Sequence, residues 1–543
     1  MLRAFVRDLV GMAVGEAFPG TEVPPFVVEV PREEGHGDLA ANVALQMSRV
    51  LRRPPREIAE AIVRKIPAHA YLEKVEVAGP GFINVFFSPE VGPKILERVL
   101  TAGPHYGEAD VGKGRRVLLE FVSANPTGPL NVVSARAAAV GDSLARLLRR
   151  VGFEVHTEYY VNDAGLQITR LGESVEARLF ELLGLPFSFP EEGYRGPYVA
   201  DVAKEALATF GREALLALSH EERVKRLSEF AMGRFRPEDD LRRYGVVFDR
   251  WFSERRDLHE AGKVARALSL LEEKGVLTTE EGARVLPTTR WGDDKDRVVV
   301  RSDGRPTYFA ADIAYHLDKF ERGYDILIDL LGPDHHGYIA RLKAAVAALG
   351  YDPARLEILL VQWVRLVRGG EVVSMSKREG AFVTLSELVE EVGKDAARFF
   401  FLLRSHESPL DFDLELAVKE TNENPVFYVQ YAHARIASIL RNAEGVVAAA
   451  DFQRLREPEE RALLLKLDAF EDEVVEAALA REPHRIARFA LELASLFHAF
   501  YNRHRVLNVD PPLSAARLAL VGAVQEVLRS ALGILGVEAP ERM

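Results

Sequence analysis

Apolar residues recur at helical spacing over 2–18, 135–150, 338–349, 425–441, 459–480 and 484–505, and each stretch is predicted to form a helix. Short β-rich runs at 116–122, 155–161, 326–331 and 358–367 read as strands, the last two as fully buried ones. Near the start of the chain, Asp38 is placed to cap a helix over 42–52. The runs 75–77 and 82–87 flank Gly79-Pro80-Gly81 as the arms of a hairpin do.

The order of these elements divides the chain. Residues 1–88 read as a small α+β domain, followed by a glycine-containing link over 101–114. From 112 to 410 the strand, loop, helix, strand order is that of a doubly wound parallel sheet, in which ligands sit beyond the C-terminal ends of the strands. A mostly helical, charged stretch over about 165–290 reads as an insertion between its two halves. From 411 to 543 nothing strand-like is predicted, and a helical bundle is expected.

Composition narrows the function classes. With 543 residues, 48% hydrophobic and 28% charged, the chain can bury several cores and is not disordered. The absence of cysteine excludes disulfides, thiol nucleophiles and cysteine-bound zinc. Arg3, Arg7, Asp8 and Glu16 interrupt the first apolar stretch, and no uncharged run of about eighteen apolar residues is evident, so a cytoplasmic protein without a membrane partner is expected. A net charge of −12 argues against coating nucleic acid nonspecifically, though a local basic track can still meet an RNA.

Four elements carry candidate chemistry. The 123–134 loop joins a strand to a helix, and its backbone amides are placed to meet an anion. Lys377 and Arg378 lie on a loop ending at Gly380, where cations can neutralise a leaving polyphosphate; alone, such a pair is more often a solvated turn. Asp334, His335 and His336 end a predicted strand, and no further ligand cluster completes a metal site around them. Tyr308 and Asp312 are four apart, hence on one face of a helix.

Taken in order, these elements resemble the arginyl-tRNA synthetases, a class I aminoacyl-tRNA synthetase family, over nearly the whole chain. The matching stretches are Glu120-Phe-Val-Ser-Ala-Asn-Pro-Thr-Gly-Pro-Leu130, Tyr159-Tyr-Val-Asn-Asp-Ala-Gly165, Phe248-Asp-Arg-Trp-Phe-Ser-Glu254, Thr307-Tyr-Phe-Ala-Ala-Asp312 and Gly332-Pro-Asp-His-His-Gly337. Ser374-Met-Ser-Lys-Arg378, Asp395-Ala-Ala-Arg-Phe-Phe-Phe401, Tyr428-Val-Gln-Tyr-Ala-His-Ala-Arg435 and Ala539-Pro-Glu-Arg-Met543 complete the set.

The resemblance implies a Rossmann-like α/β catalytic domain with a helical insertion, an N-terminal α+β domain that touches tRNA, and a C-terminal all-α anticodon-binding bundle. It implies that arginine and ATP form arginyl-adenylate and that the arginyl group passes to tRNA(Arg). By the same resemblance, Glu120 and Asn125 hold the α-amino end, Tyr308, Asp312 and Glu254 face the guanidinium, and Asp334, His335, His336, Ser376 and Lys377 serve the nucleotide. Tyr428, Gln430, Tyr431 and Arg435 lie near the RNA, Mg²⁺ accompanies ATP without a protein cage of its own, and the enzyme is a monomer.

One stretch departs from the family pattern. Where class I synthetases carry His-x-Gly-His, this chain has Asn131-Val132-Val133-Ser134. Loss of both imidazoles, and a β-branched Val133 where glycine lets adenine approach the backbone, are expected to weaken ATP binding through Asn131, Val133 and Ser134. A second reading therefore stands beside the ligase: a paralogue that binds tRNA or arginine without forming the adenylate.

Overall fold

The chain is seen in a computed structural model that describes residues 1–31, 33, 35–373, 383–443 and 448–543. It opens with α1 (Leu2–Ala17), β1 (Val28–Glu29), β2 (Leu39–Ala41), α2 (Val43–Leu51), α3 (Pro55–Val63), β3 (Leu72–Ala78) and β4 (Phe82–Phe87). The four strands form an antiparallel sheet ordered β1-β2-β4-β3, with the expected hairpin as its β3–β4 pair. Asp38 does not cap α2. It accepts hydrogen bonds from the Phe87 amide (2.7 Å) and the Arg461 guanidinium (2.6 Å), and so ties this domain to the distant C-terminal region, while Asn42 stands at the head of α2.

After α4 (Val91–Ala102) comes the central sheet. β5 (Arg116–Glu120) leads through α5 (Val132–Arg150) to β6 (Glu154–Val161), and then come α6 (Leu166–Leu182), α7 (Pro197–Phe210), α8 (Arg212–Ala217), α9 (His220–Arg234) and α10 (Pro237–Arg243). β7 (Arg250–Ser253) and α11 (Lys263–Glu273) precede a small antiparallel sheet of β8 (Thr278–Glu280), β9 (Ala283–Leu286) and β10 (Arg297–Val300). The main sheet resumes with α12 (Tyr308–Glu321), β11 (Ile326–Leu331), α13 (Ile339–Leu349) and β12 (Leu356–Leu360). All neighbours in the order β12-β11-β5-β6-β7 are parallel. The chain builds outward from β5 to one side and returns on the other, so the crevice beyond β5 and β11 is the switch point where such sheets bind ligands.

Three expectations change here. The helical insertion over 165–290 is interrupted by β7, a four-residue edge strand of the main sheet, too short to show a period. The single strand expected over 358–367 is two: β12 stays in the main sheet, while β13 (Val364–Arg368) pairs with β14 (Glu371–Val372) and, in parallel, with β15 (Leu410–Asp413). β15 also runs across the expected boundary at 410/411, so the sheet reaches into the first residues assigned to the bundle.

Between β14 and β15 lie α14 (Leu385–Val392) and α15 (Lys394–Phe401); the short α16 (Leu414–Ala417) follows. The bundle is α17 (Pro425–Arg441), α18 (Pro458–Ala480), α19 (His484–Arg503) and α20 (Pro511–Leu535). α20, unforeseen in the periodicity, is apolar enough over eighteen residues to reach a mean hydropathy of 1.6, and 61% of that window is buried within the protein. One continuous apolar core links α1, α5, α15 and the bundle helices. Fully buried Arg398 joins them: its guanidinium donates to Asp142 of α5 (2.5 Å) and to the Leu535 carbonyl of α20 (2.9 Å).

Candidate active site

β5 ends at Glu120, and the backbone immediately beyond it is strained. Val122 and Ser123 both have positive φ, +68° and +42°, a conformation that costs a β-branched residue energy and that tends to cluster at functional sites. The turn lets the Ser123 hydroxyl donate to Glu120 (2.9 Å) while accepting the Tyr160 amide (3.1 Å). It also carries Asn125 outward to an exposed position at the mouth of the crevice.

The side of the crevice expected to take the amino acid is crowded with acids and phenols. Asp312, one turn into α12, accepts a hydrogen bond from the Tyr338 hydroxyl, and burial pushes its carboxyl up to about 6. Glu254 is buried at the start of a π-helical turn over Glu254–Glu260, a local geometry frequent at functional sites, and contacts His259 Nε2 at 3.1 Å. Tyr160 of β6 hydrogen-bonds Glu254; burial, then the charges of Glu254 and Asp312, hold its phenol far above the ordinary range. Tyr308 heads α12, exposed, over Gly165, where an added Cβ would meet its hydroxyl at 3.3 Å. Glu120, Glu254, Tyr308 and Asp312 are therefore gathered at one end of the sheet. Tyr160 and Tyr338 belong with them and were missed: each meets its carboxylate only through the fold.

The residues expected to meet a nucleotide are arranged differently from expectation. The side chain of Asn131 accepts the amides of Val133 and Ser134, both at 3.1 Å, and so caps α5. Two of the amides expected to face an anion are thus already satisfied, and what α5 presents is chiefly the positive end of its dipole. Asn at this point is the physically sound residue for a helix start. Asn131 also forms an antiparallel bridge with Thr384, and the Leu385 amide donates to the Leu130 carbonyl (2.7 Å), so the start of α14 docks on the head of α5. Ser376 and Lys377 lie outside the described residues, as does Ser374. Val133 and Ser134 are half-buried in the first turn of α5. Beyond β11, Asp334, His335 and His336 form an exposed 3₁₀ turn, with His335 Nδ1 3.3 Å from Asp334. Exposed imidazoles and a helix N-terminus are a donor set that fits a nucleotide.

Comparison with known proteins decides the family. Three family profiles match in order: the arginyl tRNA synthetase N terminal domain over 4–87, the tRNA synthetases class I (R) catalytic domain over 202–406, and the DALR anticodon binding domain over 429–543. An arginine–tRNA ligase of Desulforamulus reducens is 49% identical over 531 residues, 96% of this chain and 94% of that protein. The chain belongs to the arginyl-tRNA synthetase family. A second relative, the arginine–tRNA ligase of Geobacillus thermodenitrificans, is 48% identical over 99% of this chain and 98% of its own. The solved arginyl-tRNA synthetase of Thermus thermophilus superimposes with a TM-score of 0.80 at 25% identity, covering all of both chains.

In this member of the arginyl-tRNA synthetase family, the remaining sequence candidates fall on α17. Arg435 packs over the rings of Tyr431 and Tyr501, at 4.6 and 4.7 Å from their centroids, at the wall of a cavity of about 820 Å³ that Arg441, Arg505 and Arg542 also line. Tyr428 packs on His498 at 4.6 Å. Gln430 is turned elsewhere: its amide donates to Asp395 and to the Glu538 carbonyl, both at 2.9 Å, which makes it a joint between α17, α15 and the C-terminal tail.

Proposed function

We infer that the chain is an arginine–tRNA ligase. The observation that carries this reading is the pocket of Asp312 and Glu254: a half-buried and a buried carboxylate beside phenols, with no lysine or arginine paired to either among the described residues. Such a pocket is short of positive charge, and a guanidinium supplies it with donors that match carboxylate geometry. The full-length likeness to arginine–tRNA ligases supports the same reading.

In the first step an oxygen of the arginine carboxylate attacks the α-phosphorus of ATP; the bond from that phosphorus to the bridging oxygen breaks and pyrophosphate leaves. In the second, the terminal ribose hydroxyl of tRNA(Arg) attacks the acyl carbon, AMP leaves with the bonding pair, and the hydroxyl proton passes to the departing phosphate. The carboxylate needs no base, so the protein acts by positioning and by stabilising charge. Tyr308, Asp312 and Glu254 hold the guanidinium, with Glu120 and Asn125 toward the α-amino end. His335, His336, Asp334 and the head of α5 at Asn131, Val133 and Ser134 take the nucleotide, Lys377 and Ser376 attend its phosphates, and Mg²⁺ enters with ATP. Tyr428, Tyr431 and Arg435 face the anticodon side of the tRNA, Gln430 holding their helix in place.

We also assign 1–88, 112–410 and 411–543 as the functional units, which the three family matches support, and take the protein as a cytoplasmic monomer. The test is ATP–pyrophosphate exchange and tRNA charging by the full chain with arginine, ATP and tRNA(Arg), and with lysine in place of arginine. Arginine-dependent exchange and charging are expected, with a loss of ~10²–10³ in Lys377→Ala. Tight tRNA binding with no adenylate formed would overturn the reading.

A further inference from the structure

Beneath the pocket, three carboxylates stand abreast on one rung of the sheet. Asp329 of β11 is the register partner of Glu120 of β5, and Glu120 is that of Glu158 of β6, so all three side chains project to the same face. Helix α12 covers them. Lys319, with 0% of its surface exposed, donates to Glu120 (2.5 Å) and to Asp329 (2.7 Å). His316 contacts Asp329 through Nε2 (2.9 Å) and the Asp312 carbonyl through Nδ1 (2.8 Å). Arg322 grips Glu158 with two bonds, 2.7 and 2.8 Å, and the Tyr315 hydroxyl adds a third at 2.6 Å.

The anchors of α12 are not equivalent. Arg322 and Tyr315 tie it to β6, and Lys263 of α11 holds Asp318 at 2.6 Å, all without involving the pocket. Lys319 instead lies two turns beyond Asp312 on the same helical stripe and is the one basic group of the described residues paired with Glu120. Burial pushes the Glu120 carboxyl up, and Lys319 provides the largest counter-effect.

We propose that Lys319 is a positioning residue for arginine recognition: it fixes Glu120 and sets the seat of α12, so that Glu120 and Asp312 meet the amino acid in their required places, while touching no substrate itself. The inference rests on the arginine–tRNA ligase reading. It also has a pH signature. Besides Lys319, Glu120 is faced by Asp312 and Tyr315 of α12, Asp329 of β11, Tyr160 and Glu158 of β6, and Ser123 of its own loop. Most of these are negative or phenolic. Without the ammonium, the upward push of burial on the Glu120 carboxyl loses its largest opponent, the protonated form is favoured further, and rising pH restores the charge.

The experiment compares full-length wild type, Lys319→Met, Lys319→Arg and the double variant Lys319→Met with Glu120→Gln in tRNA-dependent ATP–pyrophosphate exchange, from pH 6.5 to 8.5. Lys319→Met is expected to raise the KM for arginine at least ~10-fold, with the KM for ATP within ~3-fold, and the arginine defect to shrink toward pH 8.5. Lys319→Arg should lie between, and the double variant should keep the defect but lose its pH dependence. Wild-type arginine KM in Lys319→Met, or parallel loss for arginine and ATP with no pH response, would overturn the proposal. If Lys319→Met fails to fold, Lys319→Arg and the double variant decide: a selective, pH-flat arginine defect in the double supports it, and unchanged arginine KM in both removes it. Absence of arginine-dependent exchange in the wild type would instead remove the ligase reading.

Discussion

The two sides of the crevice are built in different ways. On the side proposed for the amino acid, Glu120 and Glu254 are buried and Asp312 is half-buried, each held by a lysine, a histidine or a phenol. On the nucleotide side, the histidines are exposed on a single 3₁₀ turn, and the head of α5 is finished by its own cap. A guanidinium must be told from other cations by shape and charge, which calls for preorganised side chains. Phosphates and a ribose are met by dipoles, amides and mobile cations, which many residues can supply. The difference explains how the His-x-Gly-His positions can change while the carboxylates of the pocket stay.

The sharpest break of that contrast is Asp312→Ala. It removes the charge-assisted contact proposed for the guanidinium and leaves the Tyr338 hydroxyl without its acceptor, so kcat/KM for arginine should fall by ~10²–10³. The KM for ATP, governed from the other side, should hold. Exchange kinetics with each substrate varied in turn measure both, and a fall below ~10-fold for arginine would move the guanidinium away from Asp312.

The next effect is in pH. Asp312 is an acid whose folded-state pKa, about 6, lies above its ordinary 3.8 because burial disfavours the carboxylate. In the protein without arginine this is a stability penalty, fully present above about pH 6 and gone below the ordinary value. Arginine binding reverses the preference, since a guanidinium requires the charged form. The KM for arginine should therefore rise about tenfold for each pH unit below 6, and the thermal stabilisation given by arginine should fade over the same range. Asp312→Asn should abolish that slope; an unchanged slope would assign the proton to another group.

Much of this was legible in the chain itself, for identifiable reasons. Long amphipathic periods placed α1, α5, α13 and α17 to within a few residues, because a helix facing a core writes its period into the sequence. β7 was not legible, being four residues at a sheet edge, nor was α20, apolar on so many faces that no stripe stands out. Glu120, Glu254, Tyr308 and Asp312 came from their motifs. Tyr338 and Lys319 make their contacts 26 and 199 positions away, which no local pattern encodes, although Asp312, His316 and Lys319 did lie on one helical stripe. Asn131 is the instructive case. An asparagine just before an apolar helical run is a cap signal, and reading it only as a missing histidine hid the bond it makes.

Asn131→Ala should thus cost about 1 kcal/mol of stability, read by denaturant unfolding, while Asn131→Asp or Asn131→Ser keeps most of it. Restoring the family signature with Asn131→His, Val133→Gly and Ser134→His removes the cap and adds a glycine to the first turn. The triple variant should be less stable by ~1–2 kcal/mol and gain less than ~10-fold in exchange. A gain of ~10² or more would show that nucleotide binding here still depends on imidazoles rather than on the helix end.

The smallest expected effect isolates the steric question. Val133 lies half-buried in the first turn of α5, and its amide is held by Asn131. Val133→Gly leaves that cap in place, costs ~0.5–1 kcal/mol in backbone entropy and opens the space beside the helix. If the nucleotide is bound chiefly through the dipole and the exposed turn, the KM for ATP should change by less than ~3-fold and only the melting temperature should fall. A drop in that KM of ~10-fold or more would mean that the valine methyls encroach on the adenine, and the nucleotide side would then be as dependent on side-chain shape as the arginine side is.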